Sequence, residues 1–387
     1  MTQNSLRTFA TGTAMIALLV SVPTPAYAQS PAAAPPARVR IDATLVGDIG
    51  REIRDALREV TSGIGEVLRD VSRDLGRELG SLDRGTFNAQ ERGWAGQAED
   101  RQTRSLAIGA SGSLEIRNLS GHVTVTAGSG RDASVELIRR ARGRTDADAR
   151  LGLERVKVDT QVTGSRGAIR SEYPNDRQAS YSVSIEMIVS APAGTRLLVN
   201  SVSGGVDVRG IKGELSVTTI SGDIAINNVG PVTEAKAASG DVSIIGSTGD
   251  GTLDTGTLSG DVILQQVKAR KITAGSVSGN ITARNIACES ATINSMSGDT
   301  IFDGDLARGG RYEITNHSGD VRFAPSNNVG FTVSASSFNG TISSSFALQG
   351  DGARNRRNRA MNGTVGDGSA SVTLKTFSGD ITLGGKK

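Results

Sequence analysis

Residues 221–224 read Ser-Gly-Asp-Ile, and the same corner returns at 239–242 as Ser-Gly-Asp-Val and at 259–262 as Ser-Gly-Asp-Val. Nine copies or close variants lie between residues 203 and 381, with glycine spacings of 18, 18, 20, 19, 19, 21, 21 and 39 residues. A strand-type repeat with a period near 20 residues is typical of a solenoid, in which each repeat forms one coil. The sequence therefore predicts an all-β protein, a parallel β-solenoid (β-helix) with coils of about 19 residues. Connections between parallel strands are overwhelmingly right-handed, which predicts a right-handed coil.

The corner residues have a structural explanation. Glycine adopts a positive φ at little cost, and serine and aspartate side chains bond to nearby backbone groups in turns. We therefore predict structural corners, rather than reactive groups, at these positions: Gly204, Gly222, Asp223, Gly240, Asp241, Gly260, Asp261, Gly279, Gly298, Asp299, Gly319, Asp320, Gly379 and Asp380.

The residues before the repeats also alternate between apolar and polar, as in the run from Tyr181 to Val189. Such alternation is typical of half-buried strands. We therefore expect residues 105–200 to form a strand-rich entry region that caps one end of the core. The solenoid itself is expected at 201–387, with a polar insertion near 350–368.

The repeats resemble those of the bacterial β-strand-repeat adhesins, a domain family of unknown function related in style to the head domains of auto-transporter adhesins. The resemblance also rests on I-V-S-A-P-A-G-T-R-L-L-V at 188–199 and on T-F-S-G-D-I-T-L at 376–383. It covers roughly residues 105–387. It implies a β-helix-like fold and a cell-envelope setting, and it brings no catalytic residues with it.

Residues 1–28 have the features of a secretory signal peptide. Arg7 precedes a short apolar core at 14–22, and Ala26-Tyr27-Ala28 is a suitable cleavage site. We expect an exported mature chain without a transmembrane segment, in the periplasm or at the cell surface or outside the cell. Residues 29–43 are rich in proline and alanine and are expected to be a linker.

Residues 44–83 are expected to form one amphipathic α-helix. Apolar residues recur between Ile49 and Leu82 with steps of 4, 4 and 3, which is an 11-residue period. This period keeps the apolar stripe on one face of a helix with little drift. The stripe predicts contact with a protein or envelope component, or self-association, with membrane contact as an alternative. Its candidate contact residues are Ile53, Leu57, Ile64, Leu68 and Leu75.

Residues 84–104 are polar and are expected to be a second linker.

The stacked aspartates and two arginine clusters each leave an alternative open. An aspartate column could bind a divalent cation, or could suggest a carbohydrate-active enzyme, but turn chemistry accounts for it and we expect no metal. The cluster at 139–144 and the cluster formed by Arg354, Arg356, Arg357 and Arg359 could contact an anionic partner, although solvated loops explain both.

Composition excludes several functional classes. The formal net charge is only +3, and no nucleic-acid motif is present, so we expect no nucleic-acid binding. Two histidines and one cysteine leave little material for metal or nucleophile chemistry, and we expect no cofactor and no catalytic residue. The sequence predicts a non-enzymatic envelope protein, an adhesin or a structural binding scaffold. The alternatives are a sensing module acting through a membrane-bound partner and, more weakly, a carbohydrate-active β-helix enzyme.

Overall fold

The computed structural model describes residues 94–174, 179–349 and 359–384. The chain divides into two units, Met1–Asp42 and Ala43–Lys387, and all described residues lie in the second. These residues form 24 strands and one helix. The predicted all-β, largely parallel, solenoid-like fold is confirmed. The predicted signal peptide, the first linker and the helix at 44–83 lie outside the described residues.

Strands that run into the Ser-Gly-Asp corners or their variants, together with three edge strands, form one sheet, called here the leading sheet. From one edge to the other, its members are β5 (Lys157–Thr163), β6 (Arg166–Glu172), β2 (Ser113–Ser120), β8 (Arg196–Ser203), β10 (Leu215–Ser221), β12 (Val232–Ser239), β14 (Thr252–Ser259), β16 (Lys271–Ser278), the second halves of β17 (Ile281–Ser297) and β18 (Thr300–Ser318), β23 (Ala370–Ser378), β20 (Phe331–Asn339) and β22 (Ala360–Val365).

Strands that leave the corners form the second sheet, called the trailing sheet. Its members in order are β1 (Gly96–Leu106), β4 (Ala133–Gly143), β7 (Tyr181–Pro192), β3 (Val123–Gly128), β9 (Val206–Arg209), β11 (Ile224–Val229), β13 (Val242–Thr248), β15 (Val262–Lys268), the first halves of β17 and β18, β19 (Val321–Pro325), β24 (Ile381–Leu383) and β21 (Ile342–Ser344).

Equivalent residues of successive coils lie beside one another. Ser221 pairs with Ser203 on one side and with Ser239 on the other, and Ile224 likewise pairs with Val206 and Val242. Side chains alternate along each strand, so Val217 and Ile226 point into the space between the sheets and are fully buried. A continuous apolar core therefore runs through the whole stack.

The N-terminal end of the stack corrects two predicted boundaries. Residues 96–104, expected to belong to a linker, are part of β1, which pairs antiparallel with β4. Residues 113–128, expected to cap the core, instead form the first coil, because β2 pairs with β8 and β3 pairs with β9.

The entry region also contains a helix that the alternation did not predict, α1 (Asp146–Arg155). Thr145 begins it with a capping box: its hydroxyl accepts from the Asp148 backbone N–H, and the Asp148 carboxylate accepts from the Thr145 backbone N–H. A capping box satisfies donors that the first turn of a helix leaves unpaired.

At the C-terminal end, the spatial order of the coils departs from their order along the chain. The last coil along the chain, β23 and β24, does not end the stack. It lies between the coil of β18 and β19 and the coil of β20 and β21. The polar insertion near 350–368 contains a strand, β22, which pairs antiparallel with β20.

Candidate functional site

The corners form a hydrogen-bonded column along one edge of the stack. The backbone N–H of Asp241 donates to Oδ1 of Asp223 at 2.9 Å, and the N–H of Asp261 donates to Oδ1 of Asp241 at 2.8 Å. The same bond continues through Asn280, Asp299, Asp320, Asp380 and Thr341. Each side chain thus joins its own coil to the next, whereas the sequence suggested bonding within a single turn. We name this column the corner ladder.

Corner glycines are required for two reasons. Those predicted at 204, 222, 240, 260, 279, 298, 319 and 379 have φ values between 129° and 148°. They also stack closely: a Cβ on Gly279 would lie 2.0 Å from the carbonyl oxygen of Gly260. Even a residue that tolerated this backbone conformation would therefore collide with the neighbouring coil.

A buried polar column inside the corner supports the glycine carbonyls. The hydroxyl of Thr257 donates to the Gly240 carbonyl at 2.9 Å, and the hydroxyl of Ser276 donates to that of Gly260 at 3.2 Å. Both hydroxyl-bearing residues are buried. These bonds give the polar residue two positions before the corner serine a structural role at Thr257 and Ser276, although Ala237 stands at the same position before Ser239.

The corner ladder has no arrangement typical of a metal site. Across the described ranges, no three His, Cys, Asp or Glu residues are grouped so that they could hold a metal ion. The aspartates instead accept backbone N–H groups and stay largely exposed, as at Asp241 and Asp320.

An apolar column runs beside the corner ladder on the outer face of the leading sheet. It consists of the residue that precedes each corner serine or asparagine, and we name it the apolar column. In spatial order its members are Leu119, Val202, Ile220, Ala238, Leu258, Val277, Met296, His317, Phe377 and Phe338. Nearly all are half-buried, and Met296 is 38% exposed. Phe377 stacks between His317 and Phe338, with ring centroids 5.1 Å and 4.7 Å away.

A cleft of about 420 Å³ lies on the side of the stack where the trailing strands return to the leading sheet. Its polar lining mixes charges: Asp250, Lys268, Arg270, Glu289 and Asp305. Cys288 also lines it.

That cysteine is not a reactive thiol. Cys288 is only 7% exposed, and burial raises the pKa of its thiol to about 12. The thiol is therefore protonated at neutral pH, and the thiolate, which is the nucleophilic form, is scarce. The nearby Tyr312 hydroxyl donates to the Cys288 carbonyl at 2.6 Å, and burial likewise raises the pKa of Tyr312 to about 12.

The first arginine cluster lies in a strand rather than in a loop. Arg139 and Arg140 belong to β4, where they pair with acidic residues. Arg139 bonds the Asp100 carboxylate and donates to the Leu153 carbonyl at 2.9 Å. Arg140 bonds Glu186 at 2.7 Å. These two cations are therefore already neutralised within the fold.

The remaining predicted contact residues are only partly described. Arg354, Arg356 and Arg357 lie outside the described residues, as do Ile53, Leu57, Ile64, Leu68 and Leu75. Arg359 is half-buried beside β22, and its carbonyl accepts from the Ser337 N–H at 2.9 Å. In the part of the chain that is described, no helix is long and apolar enough to cross a membrane.

Three comparisons place this geometry among known proteins. Residues 247–308, which run from the end of β13 into β18, match a family model described as Toastrack DUF4097. The expected resemblance to a domain family of unknown function is thereby confirmed over these coils, and the relationship to auto-transporter adhesins stays a prediction. No curated protein matches the chain.

Solved structures with some likeness have low sequence identity. A putative cell adhesion protein from Clostridium sporogenes is 12% identical, with 75% of this chain and 100% of that chain covered and a TM-score of 0.22. A putative adhesin from Bacteroides fragilis is 13% identical, with 74% and 97% covered and a TM-score of 0.36. A putative lipid binding protein from Parabacteroides distasonis is 11% identical, with 74% and 97% covered and a TM-score of 0.39. With TM-scores below 0.5, these likenesses carry no argument about what this chain does.

Proposed function

We propose that this protein is a non-enzymatic binding scaffold of the cell envelope, an adhesin in the broad sense, whose solenoid presents the corner ladder to an extended partner. The carrying observation is the regular, exposed edge itself. A serine and an aspartate or asparagine recur there at every rung from Ser221 to Asp320, about 4.8 Å apart. Equivalent groups at a fixed spacing suit a polymer that makes many weak contacts at once.

Equivalence of the corner acids also argues against the enzyme alternative. General acid–base catalysis needs groups whose pKa values differ and whose positions around a substrate are distinct. Asp241, Asp261 and Asp320 occupy the same backbone position and accept the same kind of bond. Their arrangement follows from stacking alone.

Export and handedness belong to the same proposal. Residues 1–28 direct the chain out of the cytoplasm, and the mature protein acts in the periplasm, at the cell surface or outside the cell. The coils wind right-handed, as parallel crossover connections overwhelmingly do.

A change of charge without a change of shape tests this proposal. Asp241→Asn, Asp261→Asn and Asp299→Asn keep Oδ1 for the corner ladder, as Asn280 already does, and remove three charges. We expect the combined variant to have the melting temperature of the unaltered protein. Its affinity for envelope polysaccharides on a glycan array should fall by roughly tenfold or more.

The control removes the same amount of charge from elsewhere. Asp132, Glu154 and Glu172 are exposed and lie away from the corners, so their amide variants should bind like the unaltered protein. Equal binding by both triple variants would contradict the role of the corner ladder, and turnover of any glycan would contradict the absence of catalysis.

A pull-down from envelope fractions, with and without residues 41–84, separates adhesion from the sensing alternative: a specific co-purifying partner lost with that segment would favour sensing.

A further inference from the structure

Three parallel columns of side chains run along the outer face of the leading sheet, and we call this face the groove. Its middle column carries small or polar residues, which are Thr218, Lys236, Gly256, Gly275, Asn294 and Thr315. The apolar column forms one wall, and a polar column with Glu234, Asp254 and Glu313 forms the other.

The floor of this groove is buried although it faces away from the core. Strand alternation points Val217 and Thr219 inward, so Thr218 between them points outward, yet it is only 4% exposed. At the next rung Lys236 is 6% exposed, and its Nζ is bonded to Asp254 and lies 3.4 Å from Glu234. A solvated sheet face ordinarily leaves a lysine exposed. This face therefore has the character of an interface.

We propose that residues 49–82 of this same chain form an α-helix that lies along this groove. The segment is outside the described residues, and its 11-residue repeat places an apolar stripe along one face. Over 34 residues a helix is about 50 Å long. The apolar column spans ten rungs, about 43 Å at 4.8 Å per rung. Stripe and wall therefore match in length as well as in chemistry.

The glycine content of the segment fits the groove. Its glycines at 63, 65, 76 and 80 weaken an isolated helix, so it depends on a surface to fold against, and the small groove floor at Gly256 and Gly275 permits close approach. Its six arginines, at 51, 54, 58, 69, 73 and 77, lie among seven acidic residues, and Lys236 already pairs with Glu234 and Asp254, so the apolar stripe rather than charge carries the fit.

The connection is long enough for this arrangement. Thirteen residues, 83–95, separate the segment from the start of β1, and an extended chain of that length reaches up to about 45 Å. Both β1 and the first rung of the apolar column, Leu119 in β2, belong to the N-terminal end of the stack. The segment can therefore enter the groove from that end within one molecule.

Limited trypsin digestion of the mature chain tests the proposal, because the segment holds six arginines. We expect those sites to be protected in the unaltered protein. Leu258→Glu with Met296→Glu places two charges in the apolar column and should speed cleavage within 49–82 roughly tenfold or more, since losing the burial of one such side chain shifts an equilibrium by that factor.

The matched control alters the other sheet. Ile188 and Ile263 are 37% and 38% exposed on the outer face of the trailing sheet, close to the 38% of Met296. Ile188→Glu with Ile263→Glu should leave the segment protected. Equal cleavage in both double variants, or free cleavage in the unaltered protein, would overturn the proposal.

A second measurement holds even where a groove variant fails to fold. In a Cys288→Ser background, a nitroxide on Ser259→Cys, an exposed corner beside the apolar column, should broaden amide resonances within 49–82. A label on Ser182→Cys, a half-buried trailing-sheet position, should not. Broadening that disappears on dilution would show a second copy in the groove, and protection that needs lipid vesicles would show a membrane partner; either result overturns docking within one chain.

Discussion

Asp241 links two coils through a single carboxylate oxygen, so its contribution can be separated from its charge. Asp241→Ala removes the acceptor of the Asp261 N–H and should lower the free energy of unfolding by about 1 kcal/mol, because water partly replaces the lost bond at this exposed site. Asp241→Asn keeps the acceptor and should cost less than about 0.5 kcal/mol. Urea denaturation of both variants measures the difference, and equal losses would show that charge, not the bond, is what matters.

Asp100 gives a prediction on the acid side. The side-chain hydrogen bond from Arg139 holds the pKa of the Asp100 carboxyl below its usual 3.8. A pKa that is depressed in the folded state means stabilisation that is present above pH 3.8 and lost as the pH falls below that value. We expect Asp100→Asn to flatten the decline in stability below about pH 4. Titration of the carboxyl by NMR in the folded protein checks the cause, and a midpoint at or above 3.8 would contradict it.

The structural role of some residues could be predicted from the sequence, and that of others could not. The corner glycines stand out because only one residue type suits their backbone conformation. The apolar column was equally visible, as an apolar residue before nearly every corner serine, but its outward direction follows only once the strand register is known. In β1 the sequence Glu99-Asp100-Arg101 shows no apolar alternation. That strand is recognisable only from its partner, because Glu99 and Asp100 face Arg140 and Arg139 of β4.

Among the elements, the corner turn is the least tolerant of change. Gly279→Ala would force a methyl group to within 2.0 Å of the Gly260 carbonyl oxygen at a φ of 144°. We expect it to lower the free energy of unfolding by roughly 2 kcal/mol or more. Gly251 has open space around it and no positive φ, so Gly251→Ala should change stability by less than about 1 kcal/mol. Thermal or urea unfolding compares the two, and similar losses would show that stacking does not constrain the corners.

The opposite corner of each coil was missed altogether. This corner is marked by positive φ values, between 52° and 78°, at Gly210, which follows β9, and at Asn228, Gly246, Gln266 and Asn285, which lie within the later trailing strands. They recur at nearly the same interval as the serine corners, so a period was present in the sequence. The residue type changes from coil to coil, however, because nothing here stacks as closely as at the glycine corners, and the signal is correspondingly weak.

At the scale of the whole molecule, the spatial order of the coils follows the chain as far as β19 and departs from it beyond. The departure has a physical cause. The coil of β20 and β21 carries Asn339-Gly340-Thr341 in place of Ser-Gly-Asp, and Thr341 has no carboxylate to accept an N–H from a further rung, which suits the end of the stack. This single substitution is a weak signal in the sequence alone, because the apolar rungs of β20 and β23 are alike. The choice depends on the fit of whole coils, including the stack of His317, Phe377 and Phe338.

This order of coils predicts slow refolding. Direct pairing of β20 with β18 competes with the native arrangement and must open before β23 can enter, which is a kinetic trap of the kind that long-range parallel pairing invites. Replacing residues 326–369 by a short Gly-Ser connection removes β20, β21 and β22 and restores chain order. Stopped-flow refolding should then lose its slowest phase. A slow phase of unchanged rate and amplitude would contradict this account.

During synthesis, β18 and β20, which flank β23 in the folded protein, both leave the ribosome before β23 does. When β20 and β21 emerge, β23 and β24 have not yet been synthesised. The edge formed by β18 and β19 is then available for non-native pairing. In a nascent chain that stops short of residue 370, β20 and β21 therefore lack β23 and β24, the strands with which they pair in parallel. The coil of β20 and β21 completes its parallel pairing only after β23 and β24 have left the ribosome.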